Sequence, residues 1–185
     1  MEPTQKQRML AGELYLATDP ELAADYGRAQ TILADFNATR GDDVERLTAL
    51  LRDLLGGLGE DAIVKPSLRC DYGRNITIGA RTFVNYDCVL LDCNRITIGE
   101  EVQIAPGVHI YTATHPLDAA TRRSGLESAR PVTIGNGVWL GGGTIVCPGV
   151  TIGDNTVVGA GSVVAKDLPA NVLAVGNPCR VVRAL

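Results

Sequence analysis

Two textures of apolar spacing divide the chain near residue 60. In the first part the apolar residues recur at helical intervals. Thr4 is placed to cap a first helix carrying Met9, Leu10 and Leu14, and Asp19 with Pro20 supplies an N-cap followed by proline at N1 for a second. Leu22, Tyr26, Ala29, Leu33 and Phe36 form one stripe of that second helix. A third is expected after Gly41, with Asp42 and Glu45 in a capping-box-like start, Val44, Leu47, Leu51 and Leu54 on the apolar face, and Gly56 and Gly57 as its stop.

Beyond about residue 62 the interval becomes six. Aliphatics stand at Ile78, Val84 and Leu90, after a two-residue slip at Ile98, Ile104 and Ile110, and after a long interruption at Ile134, Leu140, Val146, Ile152, Val158 and Val164. Four residues after most of these comes a small or β-branched side chain, among them Thr82, Cys88, Val102, Val138, Thr156 and Ser162. Glycine often follows the aliphatic directly, as at Gly79, Gly99, Gly135, Gly141, Gly153 and Gly159. Such spacing describes a coil of three short flat sides, with the aliphatic pointing inward and the next residue turning a corner. Glycine is expected there for its freedom of backbone angle. Successive coils then stack about 4.8 Å apart, each residue over its counterpart roughly 18 positions away. A β-sandwich is the competing arrangement, but its strands are not locked to a length of six. Hexapeptide repeats of this kind resemble the left-handed parallel β-helix. The expected organisation is a helical cap over residues 1–60 and a β-helix with a C-terminal tail over residues 61–185, with an extended loop around 112–131. The helices and the tail would cover the open strand edges at the two ends.

Composition narrows the function. A net charge of −4 gives no general basic field, which argues against nucleic acid or an anionic membrane as the main partner. The five cysteines form no CxxC pair, and the charged start of the chain lacks the apolar stretch of a signal peptide, so a reducing, cytoplasmic setting is expected. With only two histidines, a three-histidine zinc site of the carbonic anhydrase kind is excluded, and no thiolate set has ligand spacing. No metal is expected. Cys147, with no histidine beside it in sequence, is expected to be structural rather than an acyl carrier.

The segments 69–73 (RCDYG), 105–116 (APGVHIYTATHP), 131–141 (PVTIGNGVWLG) and 176–180 (GNPCR) are similar to those of the hexapeptide-repeat sugar O-acetyltransferases, with the maltose O-acetyltransferase branch nearest. The resemblance runs in register from the helices near residue 5 to the C-terminus. It implies an acetyl-CoA-dependent transfer to a sugar hydroxyl, with no permanently bound cofactor, in a homotrimer whose active sites lie between subunits. His109 falls within a repeat face, whereas His115 opens the interruption. Imidazole is suited to accept a hydroxyl proton near neutral pH. His115 matches the family's catalytic histidine, and Asn85, displayed at a corner after Val84, matches the asparagine that stabilises the reacting geometry.

By the same resemblance Asp71 and Asp92 are candidates for binding acceptor hydroxyls. The galactoside branch has a serine at the position of Asp71. The aspartate expected one place after Asp92 is Cys93 here, and another expected at Ala17 leaves only the nearby Asp19 as a substitute. For acetyl-CoA the implied contacts are Gly142, Ala160, Ala165, Lys166, Arg180 and Arg183. Gly142 replaces a serine and can offer only its backbone N–H, while the two arginines have the fork geometry that suits phosphate. Trp139 is expected to wall the donor channel. Transfer to another hydroxyl acceptor (a galactoside, serine or an antibiotic) and a non-catalytic β-helix scaffold remain the alternatives.

Overall fold

The computed structural model describes residues 2–185. Three helices come first: α1 (Gln5–Ala11), α2 (Pro20–Ala38) and α3 (Val44–Leu54). Thr4 and Gln7 close a reciprocal capping box on α1, and Asp19 caps α2 ahead of Pro20. Three details differ from the sequence expectation. Gly12, left-handed at φ +77°, ends α1 before Leu14, which lies outside the helix and exposed. The cap of α3 is Asp43, whose carboxylate accepts the Arg46 N–H, and not Asp42. Tyr26 and Val44 leave the buried stripes and face outward at 47% and 65% exposure.

The rest of the chain winds into a parallel β-helix whose three sheets form the sides of a prism. The first face stacks strands such as Gly57–Leu58, Ile76–Ile78, Ile96–Ile98, Val132–Ile134 and Thr151–Ile152. The second begins with Ile63–Val64 and Phe83–Val84 and continues through Trp139–Leu140 and Val157–Val158. The third holds Leu68–Cys70, Cys88–Leu91, His109–Tyr111, Ile145–Val146 and Val163–Val164. Every aliphatic of the sixfold pattern is buried to 2% exposure or less, and so are the small side chains that follow at four residues. The alternation inward and outward is that of any half-buried strand, applied three times per turn.

The glycine after each aliphatic has a different cause from the one expected. None of Gly79, Gly99, Gly135, Gly141, Gly153 or Gly159 has a positive φ. They are glycines because the next coil runs directly over them: a Cβ at Gly79 would lie 2.4 Å from the Gly99 carbonyl carbon, and one at Gly153 2.4 Å from the Ala170 nitrogen. The left-handed residue comes two positions later, and there Asp61, Arg81, Glu101 and Asn155 accept φ near +57° beside Gly137.

The coil length is not constant. Ile76 sits over Ile96, and Phe83 over Gln103, a step of twenty, whereas Thr133 sits over Thr151, a step of eighteen. Between them His109 pairs with Ile145 across the whole interruption. All the extra length leaves the prism at one place, the corner from the third face to the first. The longest excursion carries Ala113–Thr114, a short helix α4 (Ala119–Arg123), and Leu126–Ala129, which pairs antiparallel with Ala113–Thr114 on one side and with Tyr15–Leu16 on the other.

The helical cap and the coils are packed together. Gly57–Leu58 already belongs to the first coil, and Leu33, Phe36, Leu51 and Leu54 of α2 and α3 share one apolar core with the coils. At the other end Arg180–Ala184 returns antiparallel along Val172–Val175 and extends the second face. All five cysteines are free, and among the described residues no helix is long and apolar enough to cross a membrane.

Candidate functional site

The widened corner needs hydrogen-bonding groups that a regular ladder would not require. Asp92, fully buried, supplies them with its side chain: Oδ1 accepts the N–H groups of Asp71 (3.0 Å) and Tyr72 (2.9 Å), and Oδ2 that of Asn75 (3.3 Å). Burial pushes its carboxyl up to about 7, against the downward pull of those donors. Two residues on in the same turn, Asn94 donates its backbone N–H to Thr112 Oγ1 of the next coil and its side-chain amide to the carbonyls of Met9 and Ala129. Two buried polar side chains thus tie α1, the corner and the long loop together. Asp92 is therefore corrected from an acceptor contact to a support. With no exposed surface and both oxygens committed to backbone, it reaches no ligand, and instead fixes the backbone that carries Asp71.

Above that support lies a cavity of about 350 Å³ between α2, the segment before it, the corner and the returning strand of the loop. Tyr15, Tyr26 and Tyr72 give it aromatic walls, and Ala17, Leu22 and Ala23 an apolar side. Its polar groups are Asp71, Cys93 and Glu127. Burial raises the Asp71 carboxyl, the Cys93 thiol eases it by donating to Oδ2 at 3.2 Å, and the charge of Glu127 raises it again. Cys93 itself is held neutral, its thiol pushed up first by burial and then by Asp71. Glu127 accepts a bond from the Tyr15 hydroxyl at 3.2 Å. Ala17 and Cys93, the two positions where the sequence departs from the expected aspartates, both line this cavity, whereas Asp19 is spent on capping α2. Tyr15 and Glu127 were missed from the sequence. They are 112 residues apart, and neither belongs to a repeat.

His115 follows Ala113–Thr114 at the start of the loop, exposed to solvent. His109 lies on the third face, and its Nδ1 is paired with the Tyr111 hydroxyl. Asn85 stands at a different corner, from the second face to the third, where its Oδ1 accepts the Tyr86 N–H at 2.8 Å. It borders a shallow depression of about 140 Å³ shared with Phe83, Gln103 and the half-exposed Trp139. Within one chain, His115 and Asn85 share no hydrogen bond among the described residues.

The residues expected to meet coenzyme A divide in the same way. Gly142 and Ala160 stack at the corner of Asn85, joined by the bond from Gly161 N–H to the Gly142 carbonyl, and their own N–H groups find no acceptor among the described residues. Ala165 and Lys166 leave the third face at the opposite corner, above Cys147 and on the column that begins with Asp71. Arg180 and Arg183 extend from the last strand of the second face, exposed, and neither is in an ion pair among the described residues. One prism therefore carries the candidate donor and acceptor residues on two of its edges, with the third face between them.

The outward side chains of the faces also differ. The first presents a row of exposed threonines, Thr77, Thr97, Thr133 and Thr151. The second presents Phe83, Gln103, Trp139 and Val157, and the third Arg69, Val89, His109, Ile145 and Val163, so both are more apolar than the first. Among the described residues no cluster of three or more histidine, cysteine or carboxylate side chains is placed to hold a metal ion.

Comparison with known proteins agrees with this architecture. Residues 8–59 match the model of the maltose acetyltransferase hexapeptide capping motif, and residues 131–166 that of the bacterial transferase hexapeptide repeat. Nodulation protein L of Rhizobium meliloti is 51% identical, the match covering 98% of this chain and 99% of that one. A maltose O-acetyltransferase from Clostridium difficile 630 superposes with a TM-score of 0.98 at 49% identity, over 99% and 98% of the two chains. A galactoside acetyltransferase solved with coenzyme A gives 0.95 at 39% identity, over 99% and 92%. By sequence over nearly its whole length, and by a fold whose coils and helical cap both match, the chain belongs to the hexapeptide-repeat acetyltransferases.

Proposed function

We propose that this acetyltransferase carries acetyl from acetyl-CoA to a hydroxyl of a sugar, with His115 as the general base. The observation that carries the reading is the cavity over the widened corner: a volume suited to a small polyol, aromatic walls for the C–H faces of a ring, and carboxylate oxygens to accept its hydroxyls. The same loop that closes this cavity with Glu127 also bears His115, exposed and free of intrachain hydrogen bonds among the described residues.

In the proposed reaction the imidazole takes the proton of an acceptor hydroxyl as its oxygen attacks the thioester carbonyl. The free N–H of Gly142 and the Asn85 amide are suited to the oxyanion that develops, and the C–S bond then breaks while the imidazolium returns its proton to the coenzyme A thiolate. Arg180, Arg183 and Lys166 provide cations for the nucleotide phosphates, and Ala165 a small residue beside the pantetheine. The division of these residues between two edges supports a site completed between copies of the chain. The second and third faces, more apolar than the threonine face, support a closed trimer that buries them. Three prisms arranged so would bring the Asn85 edge of one against the His115 edge of the next.

The test is release of free thiol from acetyl-CoA by purified protein with maltose, glucose, galactosides, serine and chloramphenicol as acceptors. Sugar-dependent release that falls by roughly a hundredfold or more in His115→Ala, with an unchanged thermal midpoint, is the expected result. Undiminished transfer by the folded variant overturns the assignment of the base. Preference for serine or chloramphenicol overturns the sugar.

A further inference from the structure

The acceptor cavity has an unbalanced charge. Asp71 and Glu127 both line it, and no lysine, arginine or histidine among the described residues does. The ion pairs among the described residues lie elsewhere, at Lys6, Arg40, Arg74 and Arg81, and neither of the two carboxylates takes part in one. Each receives a single weak bond from a neutral donor, Cys93 to Asp71 and Tyr15 to Glu127, both at 3.2 Å, so one oxygen of each carboxylate remains open. The two are close enough for the charge of Glu127 to raise the Asp71 carboxyl.

Neutral hydroxyls can occupy those open oxygens but leave two like charges in a half-buried site. A cation relieves the repulsion, and tyrosine faces such as Tyr72 attract it further. On the reading of this cavity as the acceptor site, we propose that the preferred acceptor is an aminated sugar, bound as its ammonium form between Asp71 and Glu127. Anionic sugars are repelled by the same pair.

The charge also directs the chemistry. An ammonium group has no lone pair, so while the carboxylates hold it protonated it cannot attack the thioester. The acetyl group goes to a hydroxyl: a C–O bond forms, the C–S bond breaks, the hydroxyl proton passes through His115 to the thiolate, and the amine keeps its own proton.

The experiment compares glucosamine, glucose, N-acetylglucosamine and glucuronate as acceptors at pH about 6.5, where a sugar amine is protonated as an α-amino group is. The product is analysed for ester against amide by hydroxylamine cleavage and mass. Glucosamine is expected to exceed glucose and N-acetylglucosamine in kcat/KM by roughly tenfold or more, the worth of a hydrogen bond between charged partners, with glucuronate slowest and an ester as product. In Glu127→Gln and in Asp71→Asn the ratio of glucosamine to glucose falls toward one. Equal turnover of glucosamine and glucose by the unaltered protein removes this inference and leaves sugar transfer standing. An amide product overturns the protonated binding mode, and absence of transfer to every sugar removes the proposed function and this inference together.

Discussion

Two corners of the same prism follow opposite rules. Where the first face turns into the second, every coil turns alike, with a glycine beneath the next coil and a left-handed residue two places on, and in the later coils the residue between them is polar and bridges to its neighbour. Asp154 accepts the Asn136 N–H at 2.7 Å, and Asn136 in turn accepts that of Glu100 at 2.9 Å. Where the third face turns into the first, the coil gains two residues twice and then the whole interrupting loop. There the ladder is completed by buried side chains, Asp92, Asn94 and Thr112. A repeating backbone satisfies its own hydrogen bonds but offers an almost featureless outer surface. The irregular corner needs dedicated buried polar groups, and in exchange creates the cavity between coil, cap and loop.

The contrast can be broken most severely at the regular corner. Gly79→Ala is expected to cost about 3 kcal/mol in denaturant unfolding, since the added Cβ meets backbone of the next coil and no rotamer can relieve it. A loss below about 1 kcal/mol would show that the stack yields locally. Next in size is the irregular corner's dependence on pH. The Asp92 carboxyl titrates at about 7 in the fold and near the ordinary aspartate value of 3.8 when unfolded, so between those values the native state holds a proton that the unfolded state does not. Stability should therefore fall as pH rises through that window, by up to about 1.4 kcal/mol per pH unit, and level above it. Asp92→Asn, compared across pH 4 to 8, should lack that slope, and identical pH profiles would refute the assignment. The smallest effect is expected at Asp61→Gly, which relieves a left-handed residue at φ 56° while loosening the unfolded chain. Its unfolding free energy should change by less than about 1 kcal/mol. A change as large as that for Gly79→Ala would mean that the corner is not held by backbone contact as described.

The repeat could be read because it is local and recorded many times. Each aliphatic from Ile78 to Val164 sits in its own short strand, and its neighbours repeat the same instruction, so one ambiguous position is outvoted by the others. The same holds for the caps at Thr4 and Asp19, which act over three residues. The exact role of the glycines was not legible, since crowding by the next coil and a need for positive φ both select the residue without a Cβ. Nor was the burial of Asp92. An aspartate beside a recognised site reads as surface chemistry until its three backbone donors, seventeen to twenty-one residues away, are seen to enclose it.

The sequence by itself determined the prism: the sixfold spacing, the slip, the interruption and the family that shares them. Tertiary structure decided what the deviations do. It collected the slip and the loop at a single corner, laid Tyr15 against Glu127 across 112 residues, and left Asp71 and Glu127 together without a basic partner among the described residues. It also set His115 and Asn85 on separate edges. Periodic contacts are written in local spacing, whereas a cavity is a meeting of residues distant along the chain, and no local pattern specifies which of them will meet.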